Sequence, residues 1–178
     1  MKTKRLTTLA ILVALAAVLS WLENLIPLQM VVPLPGVKLG LANVSSAFAL
    51  YTLGPGAAVM VIAARCLIAN VMSGNLTGLL FSLTGGLMSI GAMTMGRKTG
   101  RLSVYGVSAL GAAAFNLGQV SVAMVMMHSW TVGLYLPYLL LIGTACAMGT
   151  ATVLAGVLYS PAAASAGLPE KKSKTRRT

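Results

Sequence analysis

The chain has 178 residues, of which 57% are hydrophobic and only 8% are charged, whereas a soluble domain carries about 25% charged residues. The net charge of +11 is concentrated at the two termini and in one internal turn, so the pattern excludes a basic nucleic-acid-binding face and favours contact with an anionic membrane surface. There is no Asp, and the only acids are Glu23 and Glu170, which excludes a carboxylate dyad, an Asp-rich magnesium site and a Ser-His-Asp triad.

The positions of the basic residues predict a membrane topology. Eleven of the 13 Lys and Arg residues lie in three clusters, at 2–5, 97–101 and 171–177, with long apolar stretches between them. Six crossings place all three clusters on one side, which is the positive-inside pattern of a multi-pass protein of the cytoplasmic (inner) membrane. We therefore expect an all-α protein with six transmembrane helices and both termini in the cytoplasm.

The first predicted helix covers 6–25 and follows a basic start, as a signal peptide does. Its apolar run is longer than the roughly 7–15 residues of a signal-peptide core, so we expect the helix to be retained. Ala10, Ala14 and Ala17 lie on one face of it and allow another helix to approach closely. A partner protein and ordinary packing within the bundle are both open for this face.

Helix 2 is predicted over 39–53, after an outer loop at 27–38 that contains three prolines. It is short and carries three polar residues, so a full crossing and a half-helix that lines protein are both open. A Gly-Pro-Gly break at 54–56 predicts a tight turn on the inner side. Lys38 is the only basic residue predicted on the outer side, where a substrate contact and a solvated loop lysine are both open.

Helix 3 is predicted over 57–72, with Arg65 near its middle, about 12 Å from either end. A charge at this depth costs at least about 2.5–3.5 kcal/mol on insertion scales. Because the chain has no Asp and Glu23 is predicted at the outer surface, we expect Arg65 to face a cavity, a ligand anion or a carbonyl cluster. Snorkelling or a purely structural hydrogen-bond hub is the alternative.

The remaining predicted helices cover 78–95, 102–127 and 134–159. An outer loop at 73–77 precedes the first of them, a basic inner turn at 96–101 follows it, and a second outer loop covers 128–133. Residues 160–178 are polar and basic and are predicted to be a disordered cytoplasmic tail. Residues 1–159 are therefore expected to form a single six-helix membrane domain.

Five amides are candidates for a polar site inside the bundle. Asn43 lies in helix 2, Asn70 and Asn75 bracket the outer end of helix 3, and Asn116 and Gln119 share a face of helix 5. Uncompensated amides are expensive in lipid, so we expect them to face inward, as substrate contacts or as polar links between helices. No metal ligand set and no cofactor are predicted, because the single His has no second His or Cys beside it.

Five segments together resemble the Gx transporter family, whose members are also labelled heptaprenyl diphosphate synthase component I. The resemblance covers about residues 5–158, and it departs at Phe115, where relatives often carry His. The segments are Pro35-Gly-Val-Lys-Leu-Gly-Leu-Ala-Asn43, Leu53-Gly-Pro-Gly56, Arg65, Ser82-Leu-Thr-Gly-Gly86 and Asn116-Leu-Gly-Gln119.

The family is similar to the substrate-binding S components of energy-coupling factor (ECF) transporters, and this similarity implies a fold and a mode of action. S components are six-helix proteins that capture a micronutrient from outside and associate with a coupling transmembrane subunit and two ATPases. The resemblance implies that Ala10, Ala14 and Ala17 contact the coupling subunit. It also implies an outward cavity roofed by the helix 1–2 loop and lined by Lys38, Asn43, Arg65, Asn70, Asn75, Asn116 and Gln119.

We therefore expect a binding subunit of an ECF-type importer for a small micronutrient, energised by partner ATPases. Arg65 and Lys38 favour an anionic solute; flavin, a quinone precursor, a prenyl group and a metal chelate all stay open. The alternative is a non-transporting scaffold subunit of a redox or prenyl-lipid assembly. Catalysis is not expected, because a prenyl synthase of the usual kind needs Asp-rich clusters to hold magnesium against diphosphate.

A near match to a phosphate-binding loop at 91–99 is rejected. Its lysine stands one position late, and the segment ends a membrane helix.

Overall fold

A computed structural model of the chain describes residues 2–25 and 40–159. Within these ranges the chain forms six α-helices and one 3-10 helix, with no strand. Lys38, the rest of the predicted loop 27–38 and the predicted tail 160–178 lie outside the described residues. The helices are α1 (Lys2–Leu25), α2 (Asn43–Thr52), α3 (Pro55–Met72), α4 (Leu76–Lys98), α5 (Val104–Met127) and α6 (Leu136–Leu158), and the 3-10 helix is Trp130–Tyr135.

Five of these helices, all except α2, are long and apolar enough to cross a membrane. The prediction of an all-helical protein with six helices is confirmed, but within the described residues only five of the six predicted crossings are long enough to span a membrane. The prediction for helix 2 is wrong at its start, because residues 40–42 precede the helix and α2 has only ten residues. Ten residues of α-helix are about 15 Å long, half of the roughly 30 Å hydrocarbon core of a bilayer.

The ends of the helices follow from local sequence. Gly54 turns the chain from α2 into α3 with φ of 98°, a conformation that glycine adopts without steric cost. Pro55 then opens α3, where its missing N–H is not needed. α4 continues to Lys98, so the predicted basic turn 96–101 is shorter than expected, and the predicted loop 128–133 is partly a 3-10 helix.

The described cations of the first two basic clusters lie at one end of the bundle, which we call the basic end. Arg5, near the start of α1, lies beside Leu53 and Ala57 at the turn between α2 and α3. Arg97, near the end of α4, donates to backbone carbonyls in the last turn of α2. A common end for these clusters is what the positive-inside pattern requires.

α2 is a short helix enclosed by longer ones. It packs against α1, α3, α4 and α6. Its Leu50 is fully buried in one apolar cluster with Ile62 of α3, Met93 of α4 and Leu154 of α6. The interior of the bundle is therefore built around a helix of half the usual membrane-spanning length.

α4 and α5 meet through glycines with almost no side chain between them. A Cβ atom on Gly118 of α5 would lie 2.8 Å from the Cα of Gly85 on α4. A Cβ on Gly85 would in turn lie 2.9 Å from the backbone oxygen of Phe115. The backbones of the two helices are therefore in direct contact along this seam.

The predicted small-residue face of α1 is not used for packing within the described chain. Ala10 and Ala14 are exposed and Ala17 is half-buried, whereas the buried face of α1 includes Leu12 and Ala16. The face is therefore free to contact another molecule, and its assignment to a partner stays a prediction.

Candidate functional site

The candidate site is built around Arg65, a charged side chain deep inside α3. Arg65 follows the first residue of α3 by ten positions and precedes the last by seven, which corresponds to about 15 Å and 10 Å along the helix. Its side chain is 2% exposed, so it turns into the bundle. A charge at this depth needs compensating partners.

Two side chains from neighbouring helices accept hydrogen bonds from the guanidinium. Nη1 donates to the Oγ of Ser20 on α1 at 3.1 Å, and Nη2 donates to the Oδ1 of Asn43, the first residue of α2, at 2.8 Å. Nε of Arg65 is buried and has no acceptor among the residues that the structure describes. The arginine thus joins three helices, and its Nε–H is not used by any described residue.

The bond from Arg65 fixes which way the Asn43 amide faces. A guanidinium only donates, so the atom that meets it must be the carbonyl oxygen of the amide, and the NH2 group must face the other side. There Nδ2 lies next to Gly40, where a Cβ atom would come within 3.0 Å of it. Within the described residues, Nδ2 has no acceptor of its own.

Glu23 is a second buried charge at the same junction, and its predicted position at the outer surface is wrong. It is 2% exposed and lies one turn beyond Ser20 on the same face of α1. Its Oε1 accepts a hydrogen bond from the backbone N–H of Leu41, just before α2. A carboxylate is stabilised at a helix N-terminus by the unpaired N–H groups and the helix dipole. Glu23 therefore supplies a negative charge that the sequence analysis did not locate.

A narrow cavity of about 20 Å³ lies beside Asn43, between α2, α4, α5 and α6. Its polar wall includes Asn43, Ser108 of α5 and Thr150 of α6. About 10–15 Å³ is enough to hold one water molecule, so the cavity admits a water-sized group and is too small for a whole vitamin. The segment that is predicted to roof it lies outside the described residues.

Asn70 and Asn75 form hydrogen bonds to the backbone near the turn between α3 and α4. Asn70 Nδ2 donates to the backbone oxygen of Cys66 at 2.8 Å, and Asn75 Oδ1 accepts from the backbone nitrogen of Gly78 at 2.7 Å, which caps α4. A Cβ on Gly78 would lie within 3 Å of both side chains. Neither amide is among the two hydrogen-bond partners of Arg65.

Asn116 and Gln119 are both buried inside the bundle, at 2% and 0% exposure. Asn116 Nδ2 donates to the backbone oxygen of Leu139 on α6 at 2.9 Å, in the space left by Gly143. This bond links α5 to α6, which is the structural alternative for such an amide. Among the residues predicted to line a cavity, Arg65 and Asn43 are joined directly by a hydrogen bond.

No group of three or more His, Cys, Asp or Glu side chains placed to hold a metal ion occurs among the described residues. The polar chemistry of the site therefore comes from arginine, amides, hydroxyls and one carboxylate.

A model of the family described as heptaprenyl diphosphate synthase component I matches residues 12–157. The match includes Ser20, Glu23, Asn43 and Arg65, the residues that form the junction. No curated protein and no solved structure matches the chain.

Proposed function

This chain belongs to the heptaprenyl diphosphate synthase component I family, and we propose that it is the solute-binding membrane subunit of an ECF-type importer. In this proposal both termini face the cytoplasm and partner ATPases supply the energy. The solute is a small micronutrient that presents a negatively charged or acceptor-rich group to Arg65 and Asn43.

The observation that carries the proposal is a surplus of donors at the start of α2. Arg65 Nε and Asn43 Nδ2 both lack an acceptor among the described residues. The N-terminal end of α2 adds about half a positive charge to the charge of Arg65, against one negative charge on Glu23. Such a junction favours a ligand that brings carboxylate, phosphate or carbonyl oxygens.

The short length of α2 supports the same proposal. Transporters often place their substrate sites at the ends of interrupted helices, because the free backbone groups and the dipole point at the ligand. α2 has ten residues and begins next to Arg65, inside the bundle. A helix that began at the membrane surface could not direct its N-terminus at a solute in this position.

The family name denotes a component of a synthase, and we propose that this chain contributes binding rather than catalysis. Prenyl synthases of the usual kind hold magnesium with clusters of Asp, and the chain has none. The face of Ala10, Ala14 and Ala17, of which the first two are exposed, is proposed to contact the coupling transmembrane subunit, because small residues allow close helix packing.

The second candidate function is that of a scaffold subunit in a redox or prenyl-lipid assembly. Two observations favour it: both Nη atoms of Arg65 already bond to protein, and the cavity beside Asn43 measures only about 20 Å³. In a scaffold, Arg65 would hold α1, α2 and α3 together and would contact no solute.

The experiment is to purify the full chain with and without candidate coupling subunits and to identify bound small molecules by mass spectrometry. We expect a small molecule to co-purify with the wild-type chain and with Arg101→Ala, which removes an exposed arginine at the basic end. Arg65→Ala should lose the molecule and the corresponding uptake while its expression stays near normal. If the wild-type chain retains no small molecule and Arg65→Ala only disturbs assembly, the scaffold function is supported instead.

A further inference from the structure

A groove of about 380 Å³ runs between α1 and α3 at the basic end. Its walls are mostly apolar, and two of its side chains, Leu6 and Met60, are more than half exposed, at 68% and 58%. The groove therefore opens to the surroundings of the bundle. The lining residues are Arg5, Leu6, Leu9, Leu53, Ala57 and Met60.

Among the described residues that line this groove, Arg5 is the one that carries a charge. It is exposed, and it has no ion-pair partner among the described residues. Glu23, the only acid in the described ranges, lies 18 positions further along α1, about 27 Å away. No described residue therefore neutralises the charge of Arg5.

Arg97, at the same end of the bundle, differs from Arg5 because the chain itself supplies contacts to its guanidinium. Its guanidinium donates to the carbonyls of Leu50 and Tyr51 and lies 4.9 Å from the centre of the Tyr51 ring. No such contacts are present for Arg5 among the described residues. Within the described residues, the protein thus binds the guanidinium of Arg97 but not that of Arg5.

We propose that the groove binds an anionic phospholipid, with the lipid phosphate on the guanidinium of Arg5 and an acyl chain along Leu6, Leu9 and Met60. α1 and α3 are both long and apolar enough to cross a membrane, so we expect lipid around this surface. Basic pockets between transmembrane helices bind anionic head groups, and guanidinium pairs well with phosphate because both can form two parallel hydrogen bonds.

Charge favours a lipid over a second copy of this chain. A second copy carries no acid at its own basic end within the described residues, so it would bring Arg5 close to further cations. An anionic lipid supplies the missing negative charge and an apolar tail together. The proposal concerns a surface separate from the Arg65 junction and does not depend on the proposed transport function.

The test is native mass spectrometry of the full chain in detergent, with phosphatidylglycerol or phosphatidylethanolamine of identical acyl chains added. The wild-type chain should retain one phosphatidylglycerol in preference to phosphatidylethanolamine. Arg5→Gln should lower this preference about fivefold, which corresponds to the ~1 kcal/mol that one basic residue contributes near an anionic surface. Lys4→Gln is the matched control: it removes a neighbouring charge that does not line the groove, and the preference should persist.

Ala57→Leu tests the path of the acyl chain. The larger side chain fills the groove between α1 and α3, so both lipids should be retained less, while thermal stability and monodispersity report whether the fold is intact. The proposal is overturned if the wild-type chain binds both lipids equally, or if Arg5→Gln and Lys4→Gln behave alike. Retention of phosphatidylglycerol by a folded Ala57→Leu variant overturns it too, as does a dimer that forms in place of the lipid adduct.

Discussion

An arginine side chain contacts each end of α2, and the helix dipole acts on the two arginines in opposite ways. Arg97 donates to Leu50 and Tyr51 in the last turn, where free carbonyls and the negative end of the dipole favour a cation. Arg65 bonds to Asn43 at the first residue, where the dipole disfavours a cation. The arginine in the unfavourable setting is also the buried one, whereas Arg97 is exposed.

This difference separates a structural arginine from a candidate functional one. Arg97 completes the hydrogen bonds of a helix end and needs no further partner. The start of α2 receives the carboxylate of Glu23, which accepts a hydrogen bond from the backbone N–H of Leu41. A buried charge such as that of Arg65 is expensive inside a membrane, and such positions are usually functional.

The largest expected difference between the two ends comes from replacing each arginine by lysine. Lysine at position 65 keeps the charge but cannot reproduce the planar fork that reaches both Ser20 and Asn43. We expect Arg65→Lys to reduce the co-purified small molecule at least about tenfold, since one hydrogen bond to a charged group is worth ~1.5–3 kcal/mol. The amount of bound molecule per mole of protein, measured by mass spectrometry, checks this.

Arg97→Lys is the control for that pair of variants. A lysine near a helix C-terminus still complements the dipole, so binding should stay close to the wild-type value. Equal losses in the two lysine variants would show that the two ends of α2 do not differ in the way we describe.

A substitution on α4 sharpens the comparison at the Arg65 end. A Cβ atom on Gly86 would lie 2.7 Å from Cγ2 of the fully buried Ile62 and 3.7 Å from Nη2 of Arg65. We expect Gly86→Ala to lower the stability by ~1–3 kcal/mol through overpacking and to weaken solute binding. Thermal unfolding in detergent measures the first effect.

Gly91→Ala, on the same helix, provides the matched control. Nothing lies within 4 Å of its added Cβ, so the better helix propensity of alanine should raise the stability by up to about 1 kcal/mol. Equal unfolding temperatures for the two alanine variants would contradict the close packing around Gly86.

The smallest expected loss of stability follows from neutralising Glu23. Glu23→Gln keeps an oxygen that can accept the hydrogen bond from Leu41 but removes the negative charge at the N-terminal end of α2. We expect a loss of ~1–2 kcal/mol of stability, in the range known for charges at partly buried helix ends. Thermal unfolding of the two proteins at neutral pH tests this, and a more stable Glu23→Gln variant would refute the compensating role.

Much of the fold could be predicted from the sequence, because apolar runs and glycine or proline breaks mark the long helices directly. The Gly-Pro-Gly break at 54–56 and the Pro55 start of α3 are clear examples. The half length of α2 was one of two alternatives that the sequence left open, because its polar residues allow a half-helix as well as a full crossing. Its residues are apolar enough for a longer helix, and the start at Asn43 depends on the contacts with α1 and α3.

The site was predicted only in part. Because the chain has no Asp to pair with Arg65, this arginine was predicted to lie at the site, and Asn43 was among the predicted cavity residues. Ser20 and Glu23 were not predicted as site residues. A signal for both was present, since Leu12, Ala16, Ser20 and Glu23 recur at helical spacing and form the buried face of α1. Because Ser20 and Glu23 are polar, the sequence did not indicate that this face is buried: charged residues near a helix end usually mark the water interface.

The glycine seam between α4 and α5 limits how the molecule can rearrange. Backbone meets backbone at Gly85 and Gly118, so a side chain added at either position would push α4 and α5 apart. In the proposed transport function we therefore expect α4 and α5 to move together, and the opening toward Arg65 to come from movement of α1 and α2.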